Sequence, residues 1–198
     1  MEQIRSFIAI ELPSGLKQAL TQLENQLKTD NQPWVKWVKP YSIHLTLKFL
    51  GNIAVDSTTA ITRAIEASAR GIKPFRLTVR DLGVFPNLKR VQVAWVGISG
   101  EVDELTRLQK RLESKLAPLG FTPESRPFTP HLTLARLRER ASANERQGFG
   151  ELMASTKFEG GDIEVKDISL MKSQLTRAGA IYSRISQVRL DREQTVKS

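Results

Sequence analysis

Residues 44–51 read His-Leu-Thr-Leu-Lys-Phe-Leu-Gly, and residues 131–136 read His-Leu-Thr-Leu-Ala-Arg. The chain has two histidines, and both open the same tetrapeptide. At average usage a given histidine is followed by Leu-Thr-Leu by chance less than about one time in a thousand. The repetition points to an internal duplication or to one chemical requirement met twice. Strand alternation supplies the geometry. Histidine and threonine at i and i+2 share one face, and the leucines face the other way. The leucines can serve a core while imidazole and hydroxyl look into a groove.

The rest of the chain accommodates two such strands. Residues 4–12 read as a strand. Pro13-Ser14 then opens a helix with Leu16, Leu20, Leu23 and Leu27 at helical spacing. Strands are predicted over 34–38 and 43–50, the second ending at Gly51-Asn52. A helix follows from Asp56-Ser57 to Gly71, then strands over 75–82 and 91–98. The second half repeats the rhythm. A helix over 101–116 carries its acids early and its bases late, which complements the helix dipole. Then come a strand over 129–137, a polar helix over 141–155, and strands over 163–171 and 180–190 with a turn near 177–179. No Pro/Gly/Ser-rich linker separates the halves. The expected fold is one α+β domain over residues 1–198: two pseudo-symmetric lobes of mostly antiparallel sheet, helices outside, and a central cleft. The tail over 191–198 is expected to fray.

Composition narrows the function. Of 198 residues, 40% are hydrophobic and 26% charged, an ordinary globular balance. There is no cysteine, which excludes disulfide scaffolds, zinc fingers, iron–sulfur ligation and thiol nucleophiles. A reducing cytoplasm fits that absence. The longest stretch without Asp, Glu, Lys or Arg is residues 91–100, too short to span a bilayer. Acids flank the short apolar run at the N-terminus, so no signal peptide is expected. Thirty basic residues against 21 acidic give +9, spread over both halves. That excess points to a polyanionic partner, nucleic acid before membrane.

Paired histidines suit the cleavage of a phosphodiester. The reaction wants a base on the entering oxygen and an acid on the leaving oxygen, roughly in line across phosphorus. An ordinary histidine pKa of about 6.5 lets one imidazole be neutral and the other protonated near neutral pH. The hydroxyls of Thr46 and Thr133 can donate to the nonbridging oxygens, where charge builds. His44 and His131 alone do not say which is acid and which is base. Without a carboxylate neighbour they make a poor metal ligand set, so neither metal nor cofactor is expected. Trp34 and Trp37 lie among lysines but read as packing more readily than as nucleic-acid contacts. Gly160-Gly161 lacks the pattern of a phosphate loop, and no Gly-x-Ser-x-Gly elbow is present.

These residues resemble a known family. The chain is similar to the two-histidine (2H) phosphoesterases, specifically the RNA 2′,3′-cyclic phosphodiesterases or 2′-5′ RNA ligase-like proteins, defined by two His-x-Thr-x motifs. Residues 5–13, Arg-Ser-Phe-Ile-Ala-Ile-Glu-Leu-Pro, look like the family's opening strand. Residues 44–51 and 126–136 look like its two signatures. The resemblance implies a bilobal fold with the site between the lobes. It implies metal-free hydrolysis of an RNA terminal 2′,3′-cyclic phosphate to a 2′-phosphomonoester, and in some members ATP-independent 2′-5′ joining of tRNA halves. It makes His44 the proton donor and His131 the proton acceptor, with Thr46 and Thr133 holding the phosphate. Phe49 is a candidate for stacking on the terminal base, and Arg136 for a phosphate contact. Strict alternation puts both on the leucine face, where core packing is the favoured reading for Phe49. The partner implied is RNA with a cyclic-phosphate end, with no membrane, and the enzyme acts as a monomer. Three alternatives stay open: action on cyclic nucleotides or small cyclic phosphates, a non-catalytic RNA-binding module, and ligation as the main direction.

Overall fold

The computed structural model describes residues 2–177 and 179–191. The elements run β1 (Gln3–Glu11), α1 (Ser14–Leu27), β2 (Val35–Trp37), β3 (His44–Ala54), α2 (Thr58–Ala69), β4 (Phe75–Phe85), β5 (Val93–Gly100), α3 (Val102–Leu116), β6 (His131–Leu137), α4 (Ala143–Ser155), β7 (Glu159–Val165), β8 (Asp167–Thr176) and β9 (Gly179–Arg189). They form an α+β fold of two sheets, ordered β3-β1-β8-β9 and β2-β6-β5-β4-β7. The strand pairs are antiparallel. Helices α2 and α3 pack against the first sheet, α1 and α4 against the second. We call these the first and second lobes.

Each lobe draws strands from both halves of the chain. The predicted strand over 163–171 is in fact two strands in different sheets. Its apolar alternation explains why. Ile163 and Val165 are buried in the second sheet, while Ile168 and Leu170 are buried in the first. The period of two slips by one residue at Lys166, and the chain changes sheets there. Strand β3 also does not stop at Gly51-Asn52. Its pairing with β1 continues through Ile53↔Ile4, where both side chains are buried. Asp191 is not frayed. Its backbone N–H donates to the Ile72 carbonyl at 3.0 Å, and its carboxylate accepts from the Gly71 N–H. Residues 192–198 lie outside the described residues.

One contiguous cluster of buried apolar side chains runs through both lobes. Helix α4 has little amphipathic pattern to declare it, yet it begins with a capping box. Ser142 Oγ accepts from the Glu145 N–H at 3.3 Å, and Glu145 accepts from the Ser142 N–H at 2.7 Å. Its Phe149 takes edge contacts from Trp34 and Trp37 at 5.8 and 5.9 Å between ring centroids. Both tryptophans are therefore packing residues.

Candidate active site

The two repeated motifs lie on strands that meet. Strand β2 is the edge of the second sheet, and a turn over Pro40–Ser42 leads directly from it into β3, the edge of the first. β3 and β6 come within 8 Å of one another at their Cα atoms. In each motif the leucines are buried in the core, while His44, Thr46, His131 and Thr133 are half-buried on the opposite face.

The two imidazoles are held in the same way. His44 Nδ1 donates to the Ser42 carbonyl at 2.8 Å, and His131 Nδ1 donates to the Thr129 carbonyl at 2.7 Å. A carbonyl can only accept, so each bond fixes the proton on Nδ1 and leaves Nε2 for chemistry. In both cases the accepting carbonyl belongs to the residue two before the histidine. The backbone that enters each strand thus sets the tautomer.

The surroundings of the rings are aromatic in both lobes. Phe7 stacks on His44 at 4.5 Å and 24°, and Tyr182 meets His44 edge-on at 5.1 Å. Phe7, Ala9 and Met171 form a small apolar cluster of their own, separate from the main core, with Tyr182 against it. On the other side Phe85 meets His131 edge-on at 5.1 Å, and Trp95 lies 6.5 Å away. The Trp95 indole lies against Gly83, where a Cβ would fall 2.2 Å from the ring. Only glycine lets that ring lie there.

Electrostatics distinguish His44. Burial among the aromatic rings pushes its pKa below 6.5; the Ser42 carbonyl opposes this, Lys17 adds to it, and Glu11 opposes it. Glu11 stands directly across from His44 in the β1–β3 register. Burial works against ionisation of Glu11, but hydrogen bonds from Arg184 Nε and Ser169 Oγ, both 2.7 Å, outweigh it and hold the carboxyl below its ordinary value.

Phe49 and Arg136 stand where strict alternation does not put them. A bulge follows each motif. The β1–β3 register skips Leu47, and the β5–β6 register skips Leu134. Leu47 and Lys48 are consequently both buried, as are Leu134 and Ala135. The phase then flips, returning Phe49 and Arg136 to the histidine face. Phe49 is 61% exposed, so it is not a core residue. It lines a hollow of about 180 Å³ with Arg5, Phe7, His44, Ser173 and Tyr182. Arg136 is exposed beside the second motif. The bulges occupy equivalent positions, three residues after each histidine. Lys48 is accommodated inside the first lobe because its Nζ donates to Glu113 Oε2 at 2.7 Å and to the Thr122 carbonyl at 2.9 Å.

Sequence reasoning misses Phe7, Tyr182, Phe85, Trp95 and Glu11. Phe7 and Glu11 carry a signal, since they share a face at period two with Ala9 on a strand that the sequence does predict. The other three become neighbours only through pairing distant in sequence. Among the described residues no group of three or more His, Cys, Asp or Glu is placed to hold a metal ion.

Known proteins are similar to this chain in sequence and fold. A protein of Methanothermobacter thermautotrophicus, named RNA 2′,3′-cyclic phosphodiesterase, is 33% identical over 95% of this chain and 100% of its own length. The protein of the same name from Aeropyrum pernix is 36% identical over 78% of this chain and 86% of its own. The Escherichia coli protein of that name is 31% identical over 79% and 85%. Among solved structures, one from Thermus thermophilus superposes with a TM-score of 0.77 at 28% identity, over 96% of this chain and all of its own. E. coli LigT complexed with 3′-AMP gives 0.77 at 25% identity over 96% and 100%. The family model of the 2′-5′ RNA ligase superfamily matches residues 12–177, a span that includes both histidine strands, and with relatives this similar over nearly its whole length the chain belongs to that superfamily.

Proposed function

We propose that this chain hydrolyses the 2′,3′-cyclic phosphate at an RNA terminus to a 2′-phosphomonoester, without a metal, by paired histidine acid and base. The observation that carries the reading is the matched pair of imidazoles, each with Nδ1 tied to the carbonyl two residues back and Nε2 free. The names of its relatives supply the substrate class.

In this reading His131 Nε2 takes a proton from water as the water oxygen bonds to phosphorus. The P–O3′ bond breaks, and His44 Nε2 gives its proton to O3′. The product carries the phosphate on O2′ and a hydroxyl at C3′. Thr46 and Thr133 donate to the nonbridging oxygens, Phe49 stacks on the terminal base, and Arg136 contacts the phosphate. Burial alone favours neutral His44, and the anionic phosphodiester of the substrate acts against that burial to keep the acid charged. A 5′-hydroxyl in place of water gives a 2′-5′ linkage by the same steps, a use that the superfamily's name supports; tRNA halves are the substrates proposed for it. The enzyme acts as a monomer in the cytoplasm, as one catalytic domain. Among the described residues no helix is long and apolar enough to cross a membrane.

The test is incubation of a short RNA bearing a 2′,3′-cyclic phosphate with the protein and EDTA, with the product read by phosphorus NMR. A 2′-phosphate is expected. No turnover of that RNA or of free 2′,3′-cyclic nucleotides overturns the reading, and a 3′-phosphate overturns the choice of bond.

A further inference from the structure

Lys36 on the edge strand β2 stands directly opposite Arg136 on β6. Both are exposed, and among the described residues neither side chain has an ion-pair or hydrogen-bond partner. Like charges directly opposite one another destabilise a sheet, so stability gives no reason for the pair. Arg138 continues the row. Its N–H donates to the Trp34 carbonyl at 2.8 Å, which keeps the backbone extended and puts Arg138 on the same face as Arg136. Its side chain is likewise exposed and unpartnered among the described residues. Nearby arginines are used differently. Arg140 donates to the Pro33 carbonyl at 2.5 Å, and Arg146 donates to the carbonyls of Val91, Arg138 and Ala141 at 2.6, 2.9 and 3.1 Å. Those two brace the end of the sheet, and the free cations stand on its cleft face.

We propose that Lys36 and Arg138, flanking Arg136, form a track that leads from the reacting phosphate along the sugar-phosphate backbone of RNA upstream of the reacting end. The proposal rests on the hydrolytic reading above and deepens it. The bulge at Leu134 returns this row to the face that carries His131 and Thr133. Lys36 lies one strand beyond Arg136, about 4.8 Å in the hydrogen-bonding direction, and Arg138 lies two residues on, about 6.7 Å along the strand. An extended polyanion reaches all three cations. A free cyclic nucleotide has one phosphate, which the motif threonines and Arg136 occupy, so Lys36 and Arg138 have nothing to bind. The site is therefore built for an RNA strand with at least one internal phosphodiester.

The experiment compares wild type, Lys36→Gln, Arg138→Gln and the double variant on two substrates, a 2′,3′-cyclic mononucleotide and an RNA tetramer ending in the cyclic phosphate. The readout is the ratio of kcat/KM for the tetramer to that for the mononucleotide. It is expected to fall about 10-fold in the double variant through KM, two phosphate contacts at roughly threefold each. Binding of a tetramer ending in a 2′-phosphate is measured across a salt series. The slope of log affinity against log salt should shrink by about 0.7 for each cation removed. A lysine on an edge strand also guards against edge-to-edge pairing. If that is the whole role of Lys36, its variant self-associates while ratio and slope stay unchanged, and the track is refuted. An equal loss on both substrates refutes it as well. If wild type turns over neither substrate, the hydrolytic reading fails, and the salt series still decides whether the track binds RNA.

Discussion

The first lobe sets His44 between Phe7 and Tyr182 and follows its bulge with Phe49, whereas the second sets His131 beside Phe85 and Trp95 and follows the equivalent bulge with Arg136. The backbone device is the same in both: a carbonyl two residues back, an alternating tetrapeptide, a bulge, and one more side chain returned to the cleft. What differs is the chemistry of that returned side chain and the cation row beyond it. An aromatic ring suits a base, and a guanidinium with Lys36 and Arg138 beside it suits a phosphate backbone. One backbone device has thus been filled differently in the two lobes, which suits the proposed substrate, with a base at one end and a chain of phosphates at the other.

The largest expected effect tests the symmetric part. His44→Ala and His131→Ala should each lower kcat/KM on the cyclic-phosphate RNA by about 10²–10⁴-fold, the usual scale of general acid–base catalysis. The double variant should lose less than the product of the two, because acid and base act as a unit. Circular dichroism checks that the variants remain folded. A loss confined to one histidine breaks the comparison between the lobes.

The next effect falls on the bulges. Lys48 is buried with Glu113, while its counterpart Ala135 needs no partner. Lys48→Ala leaves the Glu113 carboxylate poorly compensated and should cost about 3–5 kcal/mol of stability in denaturant unfolding. Lys48→Met combined with Glu113→Gln should recover part of that loss. Thr46→Ala and Thr133→Ala come below this in rank. On the proposed mechanism each removes one donor to the charged oxygens and should lower kcat by up to about 10²-fold. Unequal losses would show which lobe carries more of the developing charge.

The smallest effect concerns pH. Burial holds His44 below 6.5, so the fold prefers the neutral ring. Stability from this source is present above 6.5 and is lost as pH falls below that value, where the unfolded chain takes up the proton more readily. In the free enzyme the limb of kcat/KM that reports His44 therefore lies below the ordinary histidine value. Tyr182→Ser admits water to the ring and should move that limb upward. A limb that stays in place contradicts the burial argument.

Much of this is legible in one sequence. The tetrapeptides name the histidines and threonines, and period-two and helical spacings place most elements within a few residues. The misplaced faces have one physical source. Unbroken alternation misplaces Phe49, Arg136 and the strand over 163–171, and at each place the phase slips by one residue through a bulge or a change of sheet. The slip at Lys166 is visible as a spacing of three between Val165 and Ile168. The bulges at Leu47 and Leu134 leave no such mark, because Lys48 reads as a surface residue and only Glu113 and Thr122, distant in sequence, make its burial tolerable. The aromatic neighbours of the histidines are hidden for a related reason, since strand pairing across the chain brings them there.

The central claim is a division of labour between two equivalent imidazoles, and a substrate with sulfur in place of the 3′ bridging oxygen tests it most directly. A thiol has a pKa near 8.5, so a thiolate leaves without a proton from the enzyme. On this substrate His44→Ala should recover most of its lost activity, while His131→Ala, still lacking the base, should not. Rescue of His131→Ala in place of His44→Ala would exchange the two roles, and rescue of neither would contradict acid catalysis by this pair.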